Sequence, residues 1–593
     1  MAKQKQNKGT SFIKIFLATL TALIVFWFLL GFLWIIALTV SLASQKTTKP
    51  ITPKSVLYLR FDRPITEHNV KDINIDIFNL KQNAPLALDD IIKAIKYAKT
   101  NKNIAGIFLD LDYSLLSIAQ ADEIRNALLD FKKSGKFIIA HSDLYLQTPY
   151  YLSTVADKIF ITPTGSLLWK GLSIQLTYYK SALDKLDIQP IIIRHGKYKS
   201  AVEPFMQDTM SNANKEQLSK LLQAFWKQIL DTVSNTRKID IETLNSIADS
   251  LSIATDNDAL KYKFIDAIKT KLQVYDYIKK SLNLKPSEKI HFVSVKDIIE
   301  QITSKSEKNK IAVIFAEGDI TPGKKYKIKK ITEQYYAQLI RKAASDSNIK
   351  AIVLRINSPG GSALASEVIY QELLKAKQNK PIVISMGQYT ASGGYYISSP
   401  ADFIIAEPFT ITGSIGVFGL YFNFSKTLSD NLGITINTVK TNPNADAMSL
   451  LHKPSYAEKQ FIKKQIENIY QTFLEHVAKG RNKSISYIDS IAQGRVWSAQ
   501  DALNLGLVDQ LGTLQDAITK AANIAGIGNK KYQIIALPKK QNFLDILNTE
   551  LNQQFTAIAE NLLHNNNPIY QTWQKIKQRQ GIQARMFYDI EIQ

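Results

Sequence analysis

The stretch NIKAIVLRINSPGGSALASEVI, residues 348–369, lines up without a gap on NIAGIFLDLDYSLLSIAQADEI, residues 103–124. In both, an apolar run of strand character passes through a short turn into a segment of helical period. Three more segments repeat in the same order. YYISSPADFII (395–405) matches YYLSTVADKIF (150–160), TGSIGVFGL (412–420) matches TGSLLWKGL (164–172), and DALNLGLVD (501–509) matches DALKYKFID (258–266). The chain therefore holds two copies of one α/β domain, each of roughly 200–250 residues. That period is far too long for a solenoid, so two fused globular copies are expected.

Polar segments bracket the copies: SQKTTKPITP (44–53) before the first, TSKSEKNK (303–310) before the second. The expected division is 1–46 for an N-terminal anchor, 55–302 and 310–540 for the two copies, and 541–593 for a peripheral amphipathic tail with no assigned role. The anchor rests on residues 15–43, which run 29 positions without a charge, where a spanning helix needs only about 20. Lys3, Lys5, Lys8 and Lys14 precede it and place the N-terminus in the cytoplasm, while Lys46, Lys49 and Lys54 blunt that bias. SLA (41–43) would suit signal cleavage, but the apolar run exceeds an ordinary signal core of about 7–15 residues. An uncleaved anchor is the preferred reading, with the rest of the chain outside the cytoplasm.

The formal charge is +22, from 74 Lys and Arg against 52 Asp and Glu. The lysines are scattered, with no Arg-rich arm or RNA-binding signature, so no nucleic-acid partner is expected. With no cysteine, disulfides, thiol catalysis and Cys-ligated metals are excluded. Neither a metal nor a cofactor is expected.

The copies differ where chemistry would sit. The second carries NSPGGS (357–362) and Ser392-Gly393-Gly394; the first has DYSLLS (112–117) and Gln147-Thr148-Pro149 in their places. One copy keeps the fold without these residues, so Ser392 is read as a nucleophile rather than a turn residue. Glycine turns let a carbonyl approach the backbone, so the N–H groups of Gly361 and Gly393 are candidate oxyanion donors. A serine also needs a base. None of the seven histidines lies in a motif that marks it; His452 is the first after Ser392 and reads as a solvated loop residue. The alternative is lysine, in RHGKYKSAVEPF (194–205) of the first copy. In an extended segment Lys197 and Lys199 would face one side, and burial can bring such an amine to neutrality near pH 7.

NSPGGS, SMGQYTASGGYYIS, TGSIGVFG, GKYKSAVEPF and GRVWSAQDALNLGLVD, in order with the repeat and the anchor, resemble the long form of the signal peptide peptidase A family, also called protease IV. The resemblance runs from the anchor to about residue 540. It implies a Clp protease/crotonase-like fold in each copy and a Ser–Lys dyad. Ser392 corresponds to the nucleophile, Lys199 to the general base, Ser414 to the hydroxyl that orients the amine, and Gly361 and Gly393 to the oxyanion donors. The second copy has TVKTNPNADAM (438–448) where the first has YKSA, so the dyad is expected to form across the copies. The resemblance further implies a homotetramer in the bacterial cytoplasmic membrane, catalytic domains on the extracytoplasmic side, degrading signal peptides and other apolar peptides. Rival readings are a crotonase-like acyl-CoA enzyme, a non-catalytic membrane scaffold, and a protease with Lys197 as base.

Overall fold

A computed structural model describes residues 8–44, 50–70, 85–302, 306–539 and 581–586. The repeat appears as two sheets with the same strand sequence. In the first copy the spatial order is Ala267–Ile268, Lys158–Leu167, Phe137–Tyr145, Ile104–Asp110, Ser55–Arg60 and Phe292–Val293, all parallel. In the second, Ile382–Ala391, Ile349–Ser358, Lys310–Glu317 and Gln533–Leu537 follow in the same way. Phe403–Ala406 and Ile411–Gly413 both pair with Ile382–Ala391, covering the place of Lys158–Leu167. Strands covered on both faces read as near-continuous apolar runs, and Ile349–Ser358 is buried at almost every position.

Several helices start where the sequence offers a cap. Ser117 and Gln120 form a capping box at Ile118–Lys132, and Ser362 caps the matching helix Ala363–Lys377 by accepting the Ala365 N–H. Each copy then carries one helix of 26 residues, Asn212–Arg237 and Tyr456–Arg481. Lys8–Ser44 is a single helix, and its stretch Lys14–Gly31 is long and apolar enough to cross a membrane.

The copies pack as one body. Ala391, Phe409, Ile411 and Val496 of the second copy sit in the apolar core of the first. Arg355, at the repeat position of Asp110, is buried between two carboxylates of the first copy, 2.9 Å from Glu67 and 2.6 Å from Glu123. It also donates to Ser385 Oγ at 3.0 Å. A buried guanidinium is tolerable only when paired and hydrogen-bonded in this way.

A third sheet is shared between the copies. Its order is Lys330–Thr332, Asp319–Thr321, Gly360–Ser362, Gly581–Arg585, Phe418–Asn423 and Gln189–Arg194. Phe418–Asn423 pairs antiparallel with Gln189–Arg194 of the first copy over six residues. The strand Gly581–Arg585 corrects the reading of 541–593 as a peripheral tail. It lies antiparallel between Gly360–Ser362 and Phe418–Asn423, with Gly360 opposite Arg585 and Phe418 opposite Gln583. The rest of 541–593 lies outside the described residues. Sequence pattern missed this strand because its partners come from remote parts of the chain.

Candidate active site

Ser392 follows the last residue of the strand Ile382–Ala391 and precedes the short helix Gly393–Ser398. Its backbone sits at φ +55° and ψ −114°, a conformation that costs an L-residue about 1–3 kcal/mol and is held only where the surroundings over-determine it. Two hydrogen bonds do so: Ser392 N–H donates to Gly413 O, and Ser392 O accepts from Tyr396 N–H, both at 2.8 Å. The side chain is fully buried.

Lys199 arrives from the first copy, after the strand Gln189–Arg194. Residues 195–199 are not extended. Gly196, at φ +102°, turns the chain, so the two lysines part: Lys197 is exposed and lies over the Tyr198 ring, while Lys199 is 1% exposed. Lys199 Nζ lies 2.8 Å from Ser392 Oγ, 3.0 Å from Ser414 Oγ and 3.1 Å from Ser414 O. None of these partners is a carboxylate, and burial pushes the amine well below the ordinary lysine value. A neutral amine has two N–H donors and one lone pair. Donation to the two Ser414 oxygens leaves the lone pair for the Ser392 hydroxyl proton.

The amine is held by parts the sequence reading did not single out. Gly494, at φ +77°, packs so closely that an added Cβ would lie 2.6 Å from Lys199 Cβ and 2.7 Å from its Cα. Tyr198 N–H donates to Gln493 O at 2.8 Å, and Arg194 donates to Lys199 O at 3.0 Å. Gln217 joins the copies: its amide donates to Tyr198 O and Ser200 Oγ, and its oxygen accepts from Val496 N–H at 3.1 Å. The signal available in sequence was the glycine of GRVW (494–497); nothing marked Gln217.

On the other side of Ser392, the Gly360–Gly361 turn meets the start of the helix Gly393–Ser398. Gly393 N is 2.7 Å from where a Cβ on Gly360 would stand, and Gly361 N is 3.2 Å from where one on Gly393 would stand. Any side chain here would fill the space against the backbone N–H groups. His452 is not part of this cluster. Its ring nitrogens face the carbonyls of Lys453 and Asp446. So the structure brings Ser392, Lys199, Ser414, Gly361 and Gly393 together and leaves Lys197 and His452 out.

A strained buried serine, a buried amine whose pKa burial lowers and a glycine-lined backbone are the parts of a hydrolase of the serine type, here on a Clp protease-like scaffold. The chain belongs to peptidase family S49, whose model matches residues 130–285 and 374–528; a Clp protease model matches 303–402. It is 38% identical to Protease 4 of Salmonella typhi over 506 residues, 81% of this chain and 79% of that protein. To Protease 4 of Haemophilus influenzae it is 34% identical, over 84% of this chain and 83% of the relative. To the chloroplastic serine protease SPPA of Arabidopsis thaliana it is 30% identical, over 85% and 74%. The protein is a serine protease with two tandem Clp protease/crotonase-like domains.

Proposed function

We propose that Ser392 is the nucleophile and Lys199 the general base of a membrane-anchored endopeptidase that degrades signal peptides and other apolar peptides. The observation that carries this is the 2.8 Å contact between the buried Lys199 amine and Ser392 Oγ. Lys199 takes the hydroxyl proton as Oγ attacks a peptide carbonyl, and Ser414 fixes the amine through its two oxygens. The oxyanion is met by Gly393 N–H and the Gly360–Gly361 turn, with Gly361 as the second donor. The protonated amine then gives its proton to the leaving nitrogen. Lys199 next activates a water that releases the acyl group. The amine comes from one copy and the hydroxyl from the other, which accounts for the retention of two copies with complementary losses.

The helix Lys8–Ser44 supports anchoring, with the positive N-terminus in the cytoplasm and the catalytic domains on the extracytoplasmic side of the bacterial inner membrane. The assembly is a homotetramer in this reading. A crotonase-like acyl-CoA reaction is disfavoured because it has no use for a hydroxyl activated by an amine, and a scaffold has no use for either.

The test is single-turnover acylation by a fluorogenic apolar peptide ester in detergent, for wild type, Lys199→Met and Lys197→Met. Loss of acylation in Lys199→Met alone supports the dyad. Acylation of Lys199→Met at near the wild-type rate sinks it.

A further inference from the structure

The strand Ile104–Asp110 of the first copy runs into Leu111 and Asp112. His141, on the neighbouring strand Phe137–Tyr145, stands directly opposite Asp110 in parallel register. Asp110, Asp112 and His141 each offer a ligand atom, and these atoms all lie within 4.8 Å of one another. All three residues are buried: Asp110 and His141 are 0% exposed and Asp112 6%. No spacing in the sequence marks the set; strand pairing assembles it. The second copy keeps none of the three, having Arg355, Asn357 and Met386 at the matching positions.

Two donor atoms of the set lack any partner. Asp110 Oδ1 and His141 Nδ1 are buried without a hydrogen bond, and a buried polar atom left unpaired is costly. The tautomer of His141 is fixed. Its Nε2 lies 3.2 Å from Lys269 O, and a carbonyl only accepts, so Nε2 carries the proton and Nδ1 the lone pair. A backbone carbonyl on the far ring nitrogen is a usual support of a metal-bound histidine. The carboxylates are supported in the same way. Asp112 Oδ1 accepts from Ser142 Oγ at 3.0 Å and from Asp143 N–H at 2.5 Å, and Asp110 Oδ2 accepts from the Tyr58 hydroxyl. The remaining contact is an ammonium: Lys271 Nζ lies 2.7 Å from Asp110 Oδ2 and 3.2 Å from Asp112 Oδ2. It balances one of two negative charges, and with 31% of its side chain exposed it has a path to solvent.

We infer that Asp110, Asp112 and His141 form a binding site for one Zn2+ ion, and that Lys271 is the ammonium this ion displaces. Zinc takes imidazole nitrogen and carboxylate oxygen at about 2.0–2.2 Å, and three protein ligands leave a fourth tetrahedral position to water. Magnesium and calcium ask for oxygen ligands and higher coordination, so the imidazole selects against them. On binding, Asp110 Oδ1 and His141 Nδ1 gain the partner they lack. With Lys271 turned out to solvent, the two carboxylates balance the two charges of the ion. The ion ties the strand Ile104–Asp110 to the strand Phe137–Tyr145, so its role is to hold the first copy together. The site is independent of the Ser392–Lys199 reading above.

The experiment is calorimetric titration of Zn2+ into the full, untagged chain in detergent after a chelator has removed bound metal, with the thermal unfolding midpoint followed on the same samples. Wild type should bind one Zn2+ and its midpoint should rise, because an ion that binds only the folded chain stabilises it. His141→Ala and Asp112→Asn should each weaken binding at least thirtyfold. Ser142→Ala removes only a supporting hydroxyl and should weaken it about tenfold. Lys271→Met removes the competing ammonium and should bind at least tenfold tighter, a gain that misfolding would not give. No saturable binding in wild type and Lys271→Met overturns the site. Equal binding by wild type, His141→Ala and Asp112→Asn puts the ion elsewhere and overturns it too. Lys271→Met binding no tighter than wild type overturns the displacement of the ammonium, and equal affinity for Mg2+ overturns the assignment to zinc.

Discussion

Replacing Gly494 with alanine tests whether the position of the Lys199 amine, rather than its presence alone, sets the rate. The backbone there is at φ +77°, where an L-residue pays about 1–2 kcal/mol. The added Cβ would stand 2.6 Å from Lys199 Cβ and 2.7 Å from its Cα and N. Ordinary carbon contacts begin near 3.4 Å, so something must move by about 0.8 Å. The atoms in the way are Lys199 N, Cα and Cβ, which no side-chain rotation moves aside, so the displacement passes to the amine. Misplacing a catalytic group by about 1 Å costs on the order of 10²-fold. Gly494→Ala should therefore lose about 30–100-fold in single-turnover acylation and about 2–3 kcal/mol in urea unfolding. Gly526→Ala is the control. Gly526 has a similar φ of +66° with nothing within 4 Å of the added carbon. It should show only the backbone cost of about 1–2 kcal/mol and an unchanged rate. A Gly494→Ala rate within twofold of wild type would refute the argument, as would an equal loss in Gly526→Ala.

Four further outcomes follow from the structure. Because burial pushes the Lys199 amine well below its ordinary value, the acylation rate should rise with pH through one ionisation and level off well below pH 10. A profile still climbing past pH 10 would mean that an unperturbed lysine is the base. The unfolded chain keeps this proton up to the ordinary lysine value of about 10.4 while the folded chain releases it earlier. Stability should therefore rise with pH across that window, and Lys199→Met should exceed wild type in urea midpoint at pH 7 by more than at pH 10; an equal difference at both would count against it. Ser414→Ala removes one of the two Ser414 oxygens bonded to the amine while leaving the carbonyl, and is expected to lower acylation by about 10–100-fold with the unfolding midpoint nearly unchanged. Arg355→Met would leave Glu67 and Glu123 buried and unpaired, costing about 3–5 kcal/mol in unfolding free energy; a loss under about 1 kcal/mol would show that water reaches the carboxylates.

The sequence alone determined the tandem repeat, the α/β class and the apolar N-terminal helix. These rest on local pattern: strand runs, the matching segments of the two copies, and a long stretch without charge. It also singled out Ser392 and Lys199, one by the glycines lost in the sister copy and both by the family resemblance. The extended reading of residues 195–199 failed because Gly196 bends the chain, and only that bend separates a solvent-facing Lys197 from a buried Lys199. Contact between residues 199 and 392 is not a pattern in either segment. It depends on the strand Phe418–Asn423 pairing with Gln189–Arg194, and on Gln217 and Gly494 closing over the lysine from two directions. The strand Gly581–Arg585 lay beyond sequence reading for the same reason. A strand of a few residues takes its stability from the edges it joins, and here those edges belong to segments more than 150 residues away. Local periodicity carries no information about which remote edge will be left open, so packing decided the cleft and what lies in it.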